Sequence, residues 1–355
     1  MSYKKGVAMK ILVVSHSCVV DVNQQLLQSL CLLPETEVLL VSPANWISDV
    51  TGQSLTPQNL TNALFSVIRP SVLFPGKINL HFYTQFPTRS ILEFAPDIVY
   101  STQEPFCPSN YQALTFARKH NLPFVFHTNQ NILKSYPPPF SWMESQSLQY
   151  AKYALAFSQE ALNVMERKGR SKPSAVVPYA TDVSRFRPSE TDKAEVRLQY
   201  GIMSKAIVFG YIGRFVPEKG LADLIDASAI LLNSSPGFGE LIKILLIGSG
   251  SEEPKLRAQA MNLGIEDRLV FTGVVPHSDA ARYMNAIDVL VLPSRTLPNW
   301  KEQFGRVIVE AMACHVPVIG SDSGEIPNLI RETGGGTIYH EGDCKELAER
   351  MLYIG

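Results

Sequence analysis

The chain is poor in the features that most directly signal a chemistry. Its five cysteines, Cys18, Cys31, Cys107, Cys314 and Cys344, are odd in number and widely spaced, with no C-x-x-C pair. That argues against a disulfide framework and reads as reduced thiols in a cytosolic protein. The seven histidines never fall in an H-x-x-x-H or H-E-x-x-H arrangement, and D-x-D is absent, so no dedicated metal site and no resident cofactor is expected. A formal net charge of -1 lacks the basic excess of a nucleic-acid groove, so no nucleic-acid partner is expected. No uninterrupted apolar run approaches the length of a membrane span. The apolar stretch from Ala63 to Phe74 is broken by Arg69 and Pro70 and reads as buried core rather than membrane contact. The N-terminus MSYKKGVAMK is basic, but the ILVVS that follows is too short for a signal-peptide core. Lys4, Lys5 and Lys10 leave open a peripheral association with anionic lipid on the cytoplasmic face, which an ordinary solvated terminus explains equally well.

What is present is a long alternation. The 355 residues, 45% hydrophobic, suit two domains of ordinary size. From residue 10, short β-branched runs alternate with helical patterns, which predicts parallel sheet built from βαβ units. The predicted strands of the first half are Lys10–Val14, Glu37–Ser42, Ile78–Tyr83, Asp97–Tyr100, Phe124–His127, Ala154–Phe157 and Ala175–Pro178. Helical patterns include Val22–Leu32, Tyr111–Lys119 and Met143–Lys152, and Pro43–Pro75 reads as loop and short helix. The run Tyr136 to Trp142, with Pro137, Pro138 and Pro139, reads as non-helical, either lining the acceptor side of a cleft or forming a rigid surface connection. The segment 181–190 has turn residues and no sustained period, and reads as a linker between domains 1–180 and 191–355. Beyond it strands are predicted at Ala206–Ile212, Ile242–Ile247, Leu269–Thr272, Val289–Leu292 and Val316–Gly320. Helices fit Leu221–Leu232, Glu252–Leu263, Ser278–Ala286, Phe304–Ala313 and Cys344–Tyr353. The fold class is α/β: two Rossmann-like, doubly wound parallel-sheet domains facing across a cleft, with ligands at the carboxyl ends of the strands.

The residues that ask for a ligand cluster around EQFGRVIVEAMACHVP, 302–317. Phe304, Val307, Ile308, Ala311 and Met312 form one apolar helical stripe. Glu310 lies off that stripe, half-buried, where its carboxylate needs donors. The structural alternative is an i, i+4 pair with Arg306. Glu302 and Gly305 precede the helix start, where backbone amides and the dipole suit an anion. In GRFVPEKG, 213–220, Gly213 gives backbone clearance while Arg214 and Lys219 suit a diphosphate, although solvated loop charges would look the same. IGSG at 247–250 is weak by itself. His127, His16 and Glu104 sit at predicted strand ends, where a histidine could donate to a sugar hydroxyl or a phosphate, although a lone histidine is more often a satisfied core residue.

Together GRFVPEKG, IGSG, FTGVV and PSRTLPNWKEQFGRVIVEAMACHVPVIGSDSGEIP, in that order, resemble a retaining glycosyltransferase of family four, the glycosyl transferases group 1, with the GT-B fold. The resemblance covers nearly the whole chain and is strongest from Ala206 to Glu325. It implies transfer of a sugar from a nucleoside-diphosphate sugar to a hydroxyl acceptor, a glycolipid, polysaccharide or small metabolite, without a metal. It implies that Glu310 accepts from the ribose and Glu302 from donor-sugar hydroxyls. Arg214 and Lys219 would neutralise the diphosphate, helped by backbone amides near Gly305, Arg306 and Val307, with Phe304 and Gly213 beside them. Val275, in Gly273-Val274-Val275, would lie by the base, and His127 near the donor sugar. Three departures stand out: the loop SHSCVVD has no glycine, His315 replaces the usual glycine before the V-P-V strand, and the chain stops at Gly355, where many relatives continue into a helix that crosses to the first domain. Alternative readings are a nucleotide-sugar epimerase or sugar phosphorylase on the same fold, and a non-catalytic nucleotide-sugar-binding protein.

Overall fold

The computed structural model describes residues 8–48, 52–234 and 241–354. Lys4 and Lys5 lie outside them, as does part of the Pro43–Pro75 region. The chain divides into two compact units, 1–178 and 179–355.

In the first unit, β1 (Met9–Val14), β2 (Thr36–Val41), β5 (Ser66–Ile68), β8 (Ile98–Ser101), β9 (Phe124–Thr128), β10 (Tyr153–Ala156) and β11 (Ser174–Val176) form one parallel sheet in the order β11-β10-β9-β8-β1-β2-β5. Two small antiparallel pairs, β3 (Trp46–Ile47) with β4 (Ser54–Leu55) and β6 (Val72–Leu73) with β7 (Phe82–Tyr83), decorate it. The uninterrupted apolar runs follow from helices covering both faces. Alternate residues sort accordingly: Leu12 and Val14 pack into one core, Val13 into another.

The second unit repeats the plan with β12 (Ile207–Ile212), β13 (Ile242–Ile247), β14 (Leu269–Gly273), β15 (Val289–Leu292), β16 (Val318–Ser321) and β17 (Gly336–Tyr339), ordered β14-β13-β12-β15-β16-β17. Both sheets start near the middle, run outward one way and then jump back to the other side. The strand order therefore reverses between β1 and β8, and again between β12 and β15. Loops part at such a point and leave room for a ligand.

Several expectations need correction. Ile78–Leu80 is turn, and only Phe82–Tyr83 is strand, paired with Val72–Leu73. β5 lies inside the stretch expected as loop and short helix, its pairing to β2 overriding weak local signals. The Ala63–Phe74 stretch is not all core, since Leu64, Leu73 and Phe74 are exposed. A helix, Phe140–Tyr150, starts within the proline-rich run, with Pro139 as its N-cap residue. The helices Glu190–Gln199 and Ile326–Thr333 and the edge strand β17 went unread. Segment 181–190 is no loose tether: Phe186 is buried in the second core and Ser189 caps Glu190–Gln199 by accepting from Asp192 N. Lys10 is a strand residue whose ammonium lies 3.5 Å from Glu37 and over the Phe94 ring.

Candidate active site

The reversal point of the second sheet gathers most of the singled-out residues. β12 ends at Ile212, and Gly213 N donates to Ile247 O at 2.9 Å. Tyr211 OH donates to the Arg214 carbonyl at 2.9 Å, which fixes the backbone of a residue whose side chain is exposed. Phe215 N donates to Ser249 O at 2.8 Å, so the glycine turn 248–250 braces the Gly213 loop. A 3-10 turn, Pro217–Lys219, then carries Lys219 back toward the loop that leaves β15.

There Lys219 Nζ donates to Glu302 Oε2 at 2.6 Å, and Ser294 Oγ donates to the same oxygen at 2.8 Å. Arg295 N donates to Glu218 O, tying the two loops by backbone as well. The Lys219 ammonium also lies 4.8 Å from the Trp300 ring centre. The cation expected to meet the diphosphate and the carboxylate expected to meet the sugar are thus in direct contact, both largely buried. Glu302 is held from behind too: Glu325 N donates to its carbonyl at 3.2 Å, and a Cβ at Gly324 would stand 2.0 Å from that oxygen.

The helix expected from Phe304 begins two residues later, at Arg306, because Gly305 turns the chain in the left-handed region at φ 75°. This delivers the amides of Arg306 and Val307 at a helix start, where no intrahelical acceptor exists for them. Phe304 is buried, edge-on to Tyr179 at 5.5 Å. Val307 is only half-buried, so the apolar stripe is narrower than its spacing implies. Val275 follows β14, partly packed against the same core, at the carboxyl edge shared with Gly213.

Glu310 sits one turn into this helix and is 9% exposed. Burial pushes its carboxyl up to about 7, against the pull of Arg306 and Arg185. Arg306 does not neutralise it as a close pair. Its guanidinium lies 4.6 Å from the Tyr179 ring centre instead. Glu310 is therefore a desolvated acceptor whose nearby cations are too far to offset its burial. After this helix His315 adopts φ 60°, the left-handed conformation that the usual glycine would take without strain.

His127 is held within the first unit. Its ring is 2% exposed, stacked on Phe157 at 3.5 Å, with Nδ1 2.8 Å from Tyr100 OH and Nε2 3.0 Å from Val177 O. Both nitrogens are engaged inside the first unit, and burial lowers its pKa to about 4. Glu104 likewise turns inward, accepting from Thr128 Oγ1 at 2.5 Å and Asn129 N at 2.9 Å. The sequence reading missed Ser294, Trp300, Tyr179 and Arg185. Ser294 and Trp300 lie in the quoted PSRTLPNWK loop, whereas Tyr179 and Arg185 reach this site only through the packing of the 179–190 segment. Among the described residues, no group of three or more His, Cys, Asp or Glu side chains is placed to hold a metal.

Residues 192–354 match the family model described as glycosyl transferases group 1. A D-inositol 3-phosphate glycosyltransferase of Segniliparus rotundus is 31% identical over 163 residues, 46% of this chain and 35% of that protein. An alpha-D-kanosaminyltransferase of Streptomyces kanamyceticus is 28% identical over 221 residues, 61% of this chain and 55% of that protein. The chain thus spans between about a third and a half of the length of these curated relatives. Among solved structures, HepE of Anabaena in complex with UDP superposes with TM-score 0.71 at 21% identity, over 97% of this chain and 89% of that one. HepE has also been solved with UDP-glucose. A glycosyltransferase of Rickettsia africae superposes with TM-score 0.69 at 16% identity, over 98% and 88%. The chain therefore has the GT-B fold class, and its residues 192–354 are similar to the glycosyl transferases group 1 family.

Proposed function

We propose that the protein is a retaining glycosyltransferase that moves a sugar from a nucleoside-diphosphate sugar to a hydroxyl acceptor. The observation that carries this reading is the buried Lys219–Glu302 contact at the β12/β15 reversal, beside a glycine-started helix that bears the desolvated Glu310. An ammonium, an exposed guanidinium and helix-start amides suit two phosphates, and a carboxylate one turn along suits a ribose diol. The complexes of HepE with UDP and UDP-glucose support the same donor class.

In this reading Arg214, Lys219 and the amides of Gly305, Arg306 and Val307 stabilise charge that grows on the diphosphate as the glycosidic bond lengthens. The acceptor hydroxyl attacks from the face the diphosphate leaves. Its proton passes to a leaving phosphate oxygen, and nucleoside diphosphate departs. Glu302 holds donor-sugar hydroxyls, Glu310 holds the ribose, and Val275 lies by the base. Positive side chains meet the diphosphate's charge, so the reading calls on no resident metal. His127 contributes by fixing the end of β9 rather than by proton transfer.

The test is a donor panel scored by released nucleoside diphosphate, with and without hydroxyl acceptors. Acceptor-dependent release from one donor supports transfer. Epimerised donor without acceptor points to the epimerase reading, phosphate-dependent cleavage of a glycoside to the phosphorylase, and tight donor binding without turnover to a binding protein.

A further inference from the structure

The loops that leave the carboxyl ends of β2 and β5 are sewn together. Ala44 N donates to Pro70 O at 2.9 Å, and Asn45 and Val72 bond each other through the Asn45 amide at 3.2 and 3.5 Å. The chain then makes β6, a turn and β7, with Leu73 opposite Phe82. This turn presents Leu73 (48% exposed), Phe74 (53%), Ile78 (38%) and Leu80 (43%). The exposed Ile47 adjoins them, because Gly76 lies so close that a Cβ there would stand 2.6 Å from the Ile47 carbonyl oxygen. Exposed apolar side chains are thus concentrated on this turn and on Ile47 beside it.

Two independent observations bear on what covers it. Phe74 has φ 56°, a region that bulky side chains avoid and that glycine or asparagine enters readily. The chain thus keeps a phenylalanine where backbone conformation and exposure both disfavour one. From Val50 to Leu92, moreover, the sequence has no aspartate or glutamate but carries Arg69, Lys77 and Arg89. Arg69 is engaged with Asn59 Oδ1 and Arg89 with Glu93, while Lys77 is exposed within the apolar turn itself.

We propose that this hairpin tip is a docking surface for an anionic lipid bilayer. The apolar side chains enter the boundary between headgroups and acyl chains, and the Lys77 stem lies along them with its ammonium at the phosphates. A second copy of the chain fits less well, because a two-fold contact through the tip brings like charges together at Lys77.

Cosedimentation of the full chain with phosphatidylcholine vesicles, with and without phosphatidylglycerol, tests this on the wild type, Phe74→Asn and Lys77→Glu. Asparagine accepts the left-handed backbone, so Phe74→Asn keeps the fold, read as an unchanged or raised Tm. The wild type is expected to favour anionic over neutral vesicles by about fivefold, and each variant to lower anionic binding by about fivefold. Absence of wild-type binding, or equal binding by wild type and both variants, overturns the proposal. So does a dimer in sedimentation velocity that Phe74→Asn dissolves while vesicle binding is absent.

Discussion

Lys219 Nζ and Glu302 Oε2 stand 2.6 Å apart, and this pair joins the loop after β12 to the loop after β15 where the strand order reverses. With side chains 16% and 9% exposed, removing one partner leaves the other charge desolvated. Lys219→Ala is expected to cost about 3 kcal/mol of stability, and Lys219→Ala with Glu302→Ala to cost less than the sum of the single losses. Urea unfolding of the four proteins measures this. Strictly additive losses would show that the two side chains are not coupled.

Glu310 makes stability pH-dependent with a defined sign. Its folded pKa, about 7, lies above the unfolded value, so the folded state holds the extra proton. Its contribution is fully present below the unfolded pKa and is lost as pH rises through 7. Glu310→Gln is therefore expected to flatten stability against pH between about 4.5 and 7, and to gain up to about 3 kcal/mol on the wild type at pH 8. Parallel slopes for the two proteins would contradict the buried carboxyl.

His127 behaves oppositely. Its pKa is lowered to about 4, so its contribution is present above the unfolded value and fades as pH falls toward 4. His127→Phe keeps a ring against Phe157 but abandons Tyr100 OH and Val177 O. A loss of about 1–3 kcal/mol is expected at pH 7.5, with a smaller gap at pH 4.5. A gap that widens on acidification would mean that the imidazole is charged in the fold.

His315→Gly should stabilise. The site has φ 60° and the side chain is exposed, so glycine removes left-handed strain at the cost of a looser unfolded chain. A gain of about 0.5–1 kcal/mol in thermal unfolding is expected, and a loss would point to contacts of the histidine ring.

Much of this was legible in the sequence because it rests on patterns. Central strands such as Ile242–Ile247 are continuous apolar runs, and Glu302, Gly305 and Glu310 keep a fixed spacing around a helix start. What stayed hidden depends on long-range pairing. Ser66–Ile68 becomes strand only by lying beside Leu39–Val41. The Lys219–Glu302 contact spans 83 residues, and Tyr179 draws Arg306 away from Glu310 from far upstream. His127 shows the limit most clearly. Its place at the end of a strand was readable, but the partners that fill both nitrogens come from β8 and from the residue after β11.

The central claim is that the β12/β15 reversal seats a nucleoside diphosphate. Calorimetric titration of the wild type, Lys219→Ala and Glu310→Ala with uridine, guanosine, adenosine and thymidine diphosphates tests it most directly. The account predicts binding of at least one of them to the wild type, weakened about tenfold or more by each substitution. Absence of binding by all four, or unchanged affinity in both variants, would contradict it.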